Sequence, residues 1–188
     1  MLAPPPRRGT MTLPNITVLY DENRIAARNH ALAAEIALAR PDALLAVAVL
    51  KGSFMFAADL LRALHASGLT PEVEFVHLSS YREATISSGQ VEILKDIESD
   101  VRGRDVLLID DILESGRTLA FAKDLLMARG ARRVLVCVLL EKPGKRAVQI
   151  DADFVGFACP DVFVVGYGMD VAHAFRQLPF IGHIQGLD

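Results

Sequence analysis

Carboxylates and small polar residues follow one apolar run in the middle of the chain. Residues 106–109 are all apolar and lead directly into Asp110 and Asp111, and Glu114 comes three residues later. The segment then continues with Ser115, Gly116, Arg117 and Thr118. A glycine-containing turn before a helix presents backbone N–H groups that hold a phosphate. Carboxylates just before such a turn accept hydrogen bonds from hydroxyl groups or bind a metal ion.

Each part of this segment also has a purely structural explanation. Paired acids at the end of a strand are common in solvated loops, and a Ser or Thr before a helix often caps its free N–H groups. Arg117 is as consistent with a solvated loop arginine as with a phosphate contact. The combination of all these parts at one strand-to-helix turn favours a ligand site over capping alone.

The elements that must position these residues follow from the apolar patterns. Unbroken apolar runs are typical of strands buried on both faces of a parallel sheet. Such runs predict strands at residues 44–50, 106–109 and 134–140, with further strands at 73–78, 91–94, 154–157 and 163–166. Helical spacing predicts helices at 23–40, 54–67 and 119–129. This alternation predicts a doubly wound, mainly parallel α/β sheet flanked by helices.

Two segments are predicted to be irregular. Residues 79–89 are polar and rich in serine, which indicates a mobile loop. Residues 1–13 carry three prolines and two arginines without an apolar stretch, so a disordered tail is predicted rather than a secretory signal, and Met11 is an alternative start. A single domain is predicted from residue 14 to residue 188.

Composition excludes several classes of protein. The 188 residues are 52% hydrophobic and 23% charged, which is typical of a globular chain rather than a disordered one. The net charge of −3 provides no global basic field for nucleic acid. No apolar run approaches the roughly 20 residues that span a bilayer. Cys137 and Cys159 lack metal-ligand spacing, which predicts reduced thiols and a cytoplasmic protein.

The segment 106–119 resembles the phosphoribosyl pyrophosphate motif of the type I phosphoribosyltransferases. Segments 50–53, 79–81, 141–143 and 160–170, in this order, make the chain similar to the bacterial hypoxanthine(-guanine) phosphoribosyltransferases, and 176–182 is similar as well. The resemblance covers residues 19–184. It implies the type I phosphoribosyltransferase fold, with a small hood formed mainly by residues 141–188 together with the N-terminal segment.

The resemblance implies an enzyme of purine salvage. Such an enzyme transfers the 5-phosphoribosyl group from phosphoribosyl pyrophosphate to hypoxanthine or guanine, giving IMP or GMP and pyrophosphate. Negative charge builds on the departing pyrophosphate, so electrostatic stabilisation is the main task. Magnesium is the implied cofactor, because it bridges phosphate oxygens and takes few protein ligands. A homodimer or homotetramer is implied, with no membrane or nucleic-acid partner.

The resemblance also assigns the residues that hold phosphoribosyl pyrophosphate. Asp110 and Asp111 bind the ribose hydroxyls directly or through magnesium, and Asp170 is the ligand of a second magnesium. The other assigned contacts are Lys51, Gly52, Ser115, Gly116, Arg117, Thr118 and Arg176. The peptide bond between Leu50 and Lys51 is expected to be cis. Ser80 and Tyr81 begin a lid, although Arg82 follows where many relatives have a small residue.

On the purine side, the resemblance places Lys142 against the 6-oxo group. A lysine donates hydrogen bonds and cannot accept them, which disfavours adenine. Phe163 is expected to stack on the purine, the Val164 backbone to bond its edge, and Asp170 to lie beside it. Two alternative functions stay open. One is a related enzyme that acts on xanthine. The other is a regulatory RNA- or nucleotide-binding module of the same fold, which needs a basic face around Lys142, Lys145, Arg146, Arg132 and Arg133.

Glu114 is the main departure from the family pattern, which usually has an aspartate at this position. The resemblance gives this carboxylate the role of general base toward N7 of the purine. Either acid can accept the proton, but glutamate is one methylene longer, and a shift of about 1 Å can lower a rate about 100-fold. Either the local backbone compensates for the extra length or Glu114 only orients the base, and we favour compensation.

Overall fold

The computed structural model describes residues 15–80 and 91–186. The elements in that part of the chain are, in order, β1 (Ile16–Tyr20), α1 (Glu22–Leu38), β2 (Leu45–Leu50), α2 (Phe54–Ala66), β3 (Glu72–Ser80), β4 (Val91–Lys95), β5 (Asp105–Leu113), α3 (Arg117–Ala128), β6 (Arg133–Glu141), β7 (Phe154–Ala158), β8 (Val164–Val165) and β9 (Ile181–Ile184). The predicted helices are therefore all present, with ends shifted by at most two residues. For α3 the predicted start at residue 119 was two residues late.

A six-stranded sheet forms the centre of the molecule, in the order β4-β3-β2-β5-β6-β7. Neighbouring strands are parallel except for β3 and β4, which are antiparallel. Helices α1 and α2 pack on one face, and α3 packs on the other. Because both faces are covered, β2, β5 and β6 are buried along most of their length. The predicted doubly wound, mainly parallel sheet is confirmed.

A second, three-stranded sheet joins the two ends of the chain. Its order is β1-β9-β8, and both pairs are antiparallel. Neither β1 nor β9 was predicted, because each is short and its partner lies far away in the sequence. The predicted strand at 163–166 is correct only for Val164 and Val165. The extent of the domain and of its hood stays a prediction.

The prediction of a loop from residue 79 was wrong for its first two residues. Ser79 and Ser80 belong to β3, where they pair with Glu92 and Val91 of β4. Backbone pairing with the returning strand continues β3 through residues whose polar side chains suggested a loop. Residues 81–90, which include Tyr81 of the expected lid, lie outside the described residues, as do the N-terminal residues 1–14.

Neither cysteine forms a disulfide bond. Cys137 and Cys159 are both buried, and burial raises the pKa of each thiol above its ordinary value. In the part of the chain that the structure describes, no helix combines the length and the apolar character needed to cross a bilayer.

Asp105, at the start of β5, is a buried carboxylate held by two arginines. Its oxygens accept hydrogen bonds from Arg132 at 2.8 and 2.7 Å, from Arg133 at 2.6 Å and from the N–H of Asp42 at 3.1 Å. Burial acts to raise the pKa of Asp105, but these hydrogen bonds outweigh it and hold the pKa below its ordinary value. The ionised form therefore stabilises the folded state.

We expect Asp105→Asn to lower the free energy of unfolding by about 3 kcal/mol at neutral pH, because it leaves two arginines without their partner. A lowered pKa gives stability that is present above the pKa of an unfolded aspartate, about 3.9, and that is lost as pH falls through the folded value. The difference between the two proteins should therefore shrink in acid. Urea unfolding at about pH 7 and about pH 3 measures both effects. An equal difference at the two pH values would contradict the assignment.

Candidate active site

The carboxyl ends of β2 and β5 open into a cavity of about 500 Å³. After β2 the chain turns through Lys51–Ser53 into α2, and after β5 it turns through Glu114–Gly116 into α3. The two turns share one edge because parallel strands end on the same side of a sheet, the usual place for a ligand in this architecture. The predicted residues that line the cavity are Lys51, Gly52, Asp110, Asp111, Glu114, Ser115, Gly116, Arg117, Thr118, Asp170 and Arg176.

The turn after β2 packs closely against the acidic pair. The Leu50–Lys51 peptide bond is cis, as the resemblance implies. Ser53 is buried and donates a hydrogen bond from its hydroxyl to the carbonyl oxygen of Val49. A Cβ atom added at Gly52 would overlap the carboxylate of Asp111. Position 52 therefore has no room for a side chain while Asp111 keeps its place.

The turn after β5 presents the start of α3 to the cavity. Gly116 is the N-cap residue, its φ is 79°, and it provides no side-chain cap. The Ser115 hydroxyl lies 3.5 Å from the N–H of Arg117, at the limit of a hydrogen bond. Capping thus does not account for this turn, and the first N–H groups of α3 are left for an anion. A side chain at 116 would also approach Ile150 Cγ2 to 2.6 Å.

Asp110, which is buried, and Asp111, which is partly buried, form a carboxylate pair that lines the cavity. Asp110 accepts a hydrogen bond from the N–H of Asp111 at 2.9 Å, and Asp111 accepts one from the N–H of Ile112 at 3.0 Å. Burial and the neighbouring Asp111 charge raise the pKa of Asp110 well above its ordinary value. Burial also raises the pKa of Asp111. Such a pair attracts a cation or hydroxyl donors, which relieve the repulsion.

Asp170 and Arg176 form an ion pair that also lines the cavity. Arg176 donates to Asp170 Oδ1 at 2.6 Å and to the carbonyl oxygen of Gly168 at 2.6 Å. Asp170 also accepts a hydrogen bond from the N–H of His173 at 2.8 Å. Arg176 is therefore already paired with a carboxylate of the protein. Both residues still line the cavity.

A second cavity of about 300 Å³ adjoins the first. It contains Lys142, Phe163 and Val164, the three residues expected to recognise a purine. Four residues line both cavities, namely Asp111, Ile112, Glu114 and Asp170. Lys142 is only 7% exposed, so it is not a freely solvated surface lysine. Its Nζ atom lies 3.7 Å from a carboxylate oxygen of Glu114.

A second lysine, which nothing in the sequence connects with Glu114, lies beside it. Lys145 Nζ lies 3.8 Å from the same Glu114 oxygen and also forms an ion pair with Asp161. The hydrogen bond to Asp161 raises the pKa of Lys145. Asp161 and Lys145 are sixteen residues apart, and no spacing in the sequence marks them as partners.

The cations proposed for a basic face are largely paired. Arg132 and Arg133 both bind Asp105, Arg146 binds Glu141, Lys145 binds Asp161, and Lys142 is buried beside Glu114. Acidic partners thus offset these positive charges. Their arrangement argues against the RNA-binding alternative.

Comparison with known proteins agrees with this geometry. The family model for the phosphoribosyl transferase domain matches residues 15–172. The chain is 44% identical over 166 residues to a hypoxanthine-guanine phosphoribosyltransferase of Bacillus subtilis (strain 168), covering 88% of this chain and 91% of that protein. It is 41% identical over 176 residues to a hypoxanthine phosphoribosyltransferase of Escherichia coli (strain K12), covering 92% and 97%. A crystal structure of a Staphylococcus aureus hypoxanthine phosphoribosyltransferase matches with a TM-score of 0.84 at 38% identity, covering 90% of this chain and 91% of that one.

Proposed function

This chain belongs to the phosphoribosyltransferase family, and on that premise we propose that it is an enzyme of purine salvage. It transfers the 5-phosphoribosyl group of phosphoribosyl pyrophosphate to hypoxanthine and to guanine, giving IMP or GMP and pyrophosphate. The observation that best supports this function is that two cavities meet at Glu114. One contains the phosphate-binding turn, and the other contains Lys142 and Phe163.

The reaction breaks the bond between C1′ of the ribose and pyrophosphate and joins C1′ to a purine nitrogen. The purine proton then goes to Glu114, which lies between the two cavities. The turn Ser115–Thr118 and the start of α3 hold the 5′-phosphate. Lys51, the Gly52 backbone and Arg176 hold the pyrophosphate, where negative charge grows as the bond breaks. Each charge that develops thus meets a group of opposite polarity.

Magnesium fits the carboxylates of this site. Asp110, Asp111 and Asp170 offer the oxygen ligands that magnesium prefers. Across residues 15–80 and 91–186 no three acidic, histidine or cysteine side chains converge into a metal cage. Magnesium suits such a site because it commonly takes one or two carboxylates and completes its shell with phosphate oxygens and water. When bound, it would neutralise charge on the pyrophosphate.

Lys142→Met should raise the KM for hypoxanthine at least about 10-fold, because it removes a charged hydrogen bond to the 6-oxo group. The methionine keeps an unbranched chain of similar length, so packing at this buried position changes little. Steady-state kinetics with hypoxanthine and with adenine measure the change in preference. Lys123→Met on α3, away from both cavities, is the control. An unchanged KM for hypoxanthine would remove Lys142 from purine recognition.

A homodimer or homotetramer is proposed by analogy with the family. Analytical ultracentrifugation of the purified protein tests this directly. A monomer at micromolar concentration would contradict it.

The proposed reaction is tested with phosphoribosyl pyrophosphate, magnesium and each of four purines. Nucleotide is expected from hypoxanthine and guanine and little or none from adenine. Product from xanthine alone would support the related enzyme that prefers xanthine. No product from any of the four would overturn the enzymatic function.

A further inference from the structure

A single arginine connects the two loops that carry Glu114 and Lys142. Arg146 Nη1 lies 2.9 Å from the carbonyl oxygen of Leu113, 2.8 Å from that of Glu114 and 3.2 Å from that of Lys142. Its Nη2 donates to the carboxylate of Glu141 at 2.6 Å. The side chain is 23% exposed, so water competes little for these hydrogen bonds.

This arginine lies where the main sheet stops pairing. The β5–β6 ladder ends at the pair Leu113 and Glu141, followed by one more hydrogen bond from the N–H of Lys142 to the carbonyl oxygen of Leu113 at 3.0 Å. Beyond this point the ladder does not continue, and among the described residues no backbone N–H group donates to the carbonyl oxygens of Glu114 and Lys142. The planar guanidinium, with several donors in fixed directions, binds these carbonyl groups in place of a strand.

The segment after Arg146 returns to the phosphate-binding turn. The N–H groups of Ala147 and Val148 donate to the carbonyl oxygen of Ser115 at 2.9 and 3.3 Å. Successive residues of this segment thus contact first the purine-side loop and then the phosphate-side turn. Arg146 itself lines neither cavity, so it acts only through its neighbours.

We propose that Arg146 is a positioning residue of the transfer reaction. It fixes the backbone of Glu114 relative to that of Lys142. The carboxylate that accepts the purine proton and the lysine that donates to the 6-oxo group are then held at fixed positions around the same purine. This inference rests on the proposed function. Because Glu114 has a longer and more flexible side chain than an aspartate, a fixed backbone beneath it supplies part of the compensation expected above. A displacement of about 1 Å can lower the rate about 100-fold.

Arg146→Lys is the first test. Lysine keeps the charge, but its single nitrogen cannot reach three carbonyl groups and Glu141 together. The kcat with hypoxanthine should fall about 10-fold or more, while the KM for phosphoribosyl pyrophosphate changes little. Arg28→Lys is the matched control, because Arg28 binds two carbonyl groups and Glu35 in a similar way, is 26% exposed and lies away from both cavities. Its kcat should stay near that of the unmodified protein.

The double variant Glu114→Gln with Arg146→Lys separates positioning from general stability. If Arg146 acts through Glu114, Arg146→Lys lowers kcat much less once Glu114 is already glutamine. Additive losses, an unchanged kcat in Arg146→Lys, or an equal loss in Arg28→Lys would each overturn the proposal. If thermal unfolding shows that Arg146→Lys does not fold, Glu141→Gln replaces it, and the same reduced effect in the Glu114→Gln background is expected. Failure of the proposed function is recognised separately, as absence of product from the unmodified protein.

Discussion

Glu114→Gln should lower the turnover of hypoxanthine by about 100-fold or more and leave the affinity for phosphoribosyl pyrophosphate nearly unchanged. The amide has the same length as the carboxylate but cannot take up the purine proton. Glu114 lies where the two cavities meet, with two lysines nearby, and the proposed function assigns it to the purine rather than to the phosphates. Single-turnover kinetics and direct binding of phosphoribosyl pyrophosphate measure the two quantities separately.

Two further variants provide a control and a test of side-chain length. Glu98→Gln changes an exposed loop glutamate far from the cavities and should leave turnover unchanged. Glu114→Asp introduces the aspartate that the family usually has at this position, while the surrounding backbone stays that of a chain with glutamate. If that backbone compensates for glutamate, the aspartate variant also turns over more slowly, because its carboxylate withdraws from the purine. Unchanged turnover in Glu114→Gln would remove Glu114 from the role of base.

The parts of the fold that were predictable are those determined by local burial. Strands β2, β5 and β6 are buried along most of their length, so each contains an unbroken apolar run, at residues 45–50, 106–109 and 134–140. The short strands β1 and β9 pair across the whole length of the chain, and such pairing leaves little local pattern. Ser79 and Ser80 were misassigned for the same reason, since their strand conformation depends on the partner strand β4.

The candidate site, too, could be predicted from the sequence only in part. Asp110 and Asp111 lie near the end of β5 and the turn Glu114–Gly116 follows it directly, so their order in the sequence already places them together. The burial of Lys142 was hidden, because its charged neighbours indicate a surface loop. The contacts of Lys145 with Asp161 and of Arg146 with three carbonyl groups join separate segments. Such contacts depend on the tertiary fold, and residue type alone does not specify them.

Gly52→Ala should raise the KM for phosphoribosyl pyrophosphate at least about 10-fold and lower kcat/KM about 100-fold. A methyl group at this position overlaps the Asp111 carboxylate. The turn cannot simply retreat, because Gly168 packs so closely on the other side that a Cβ atom there would overlap the carbonyl oxygen of Gly52. The added methyl group must therefore displace Asp111 or shift the turn Lys51–Ser53, which we propose holds the pyrophosphate. Steady-state kinetics with varied phosphoribosyl pyrophosphate measure the loss.

Asp111→Ala provides the background that separates these two causes. It removes the carboxylate that the methyl group would meet, so Gly52→Ala should add little to the loss already caused by Asp111→Ala. The two single variants would then affect the same carboxylate by different routes, one by displacing it and the other by deleting it. Fully additive losses would instead place the effect of the methyl group in the turn Lys51–Ser53 itself. They would contradict the inference that Gly52 is needed chiefly to leave room for Asp111.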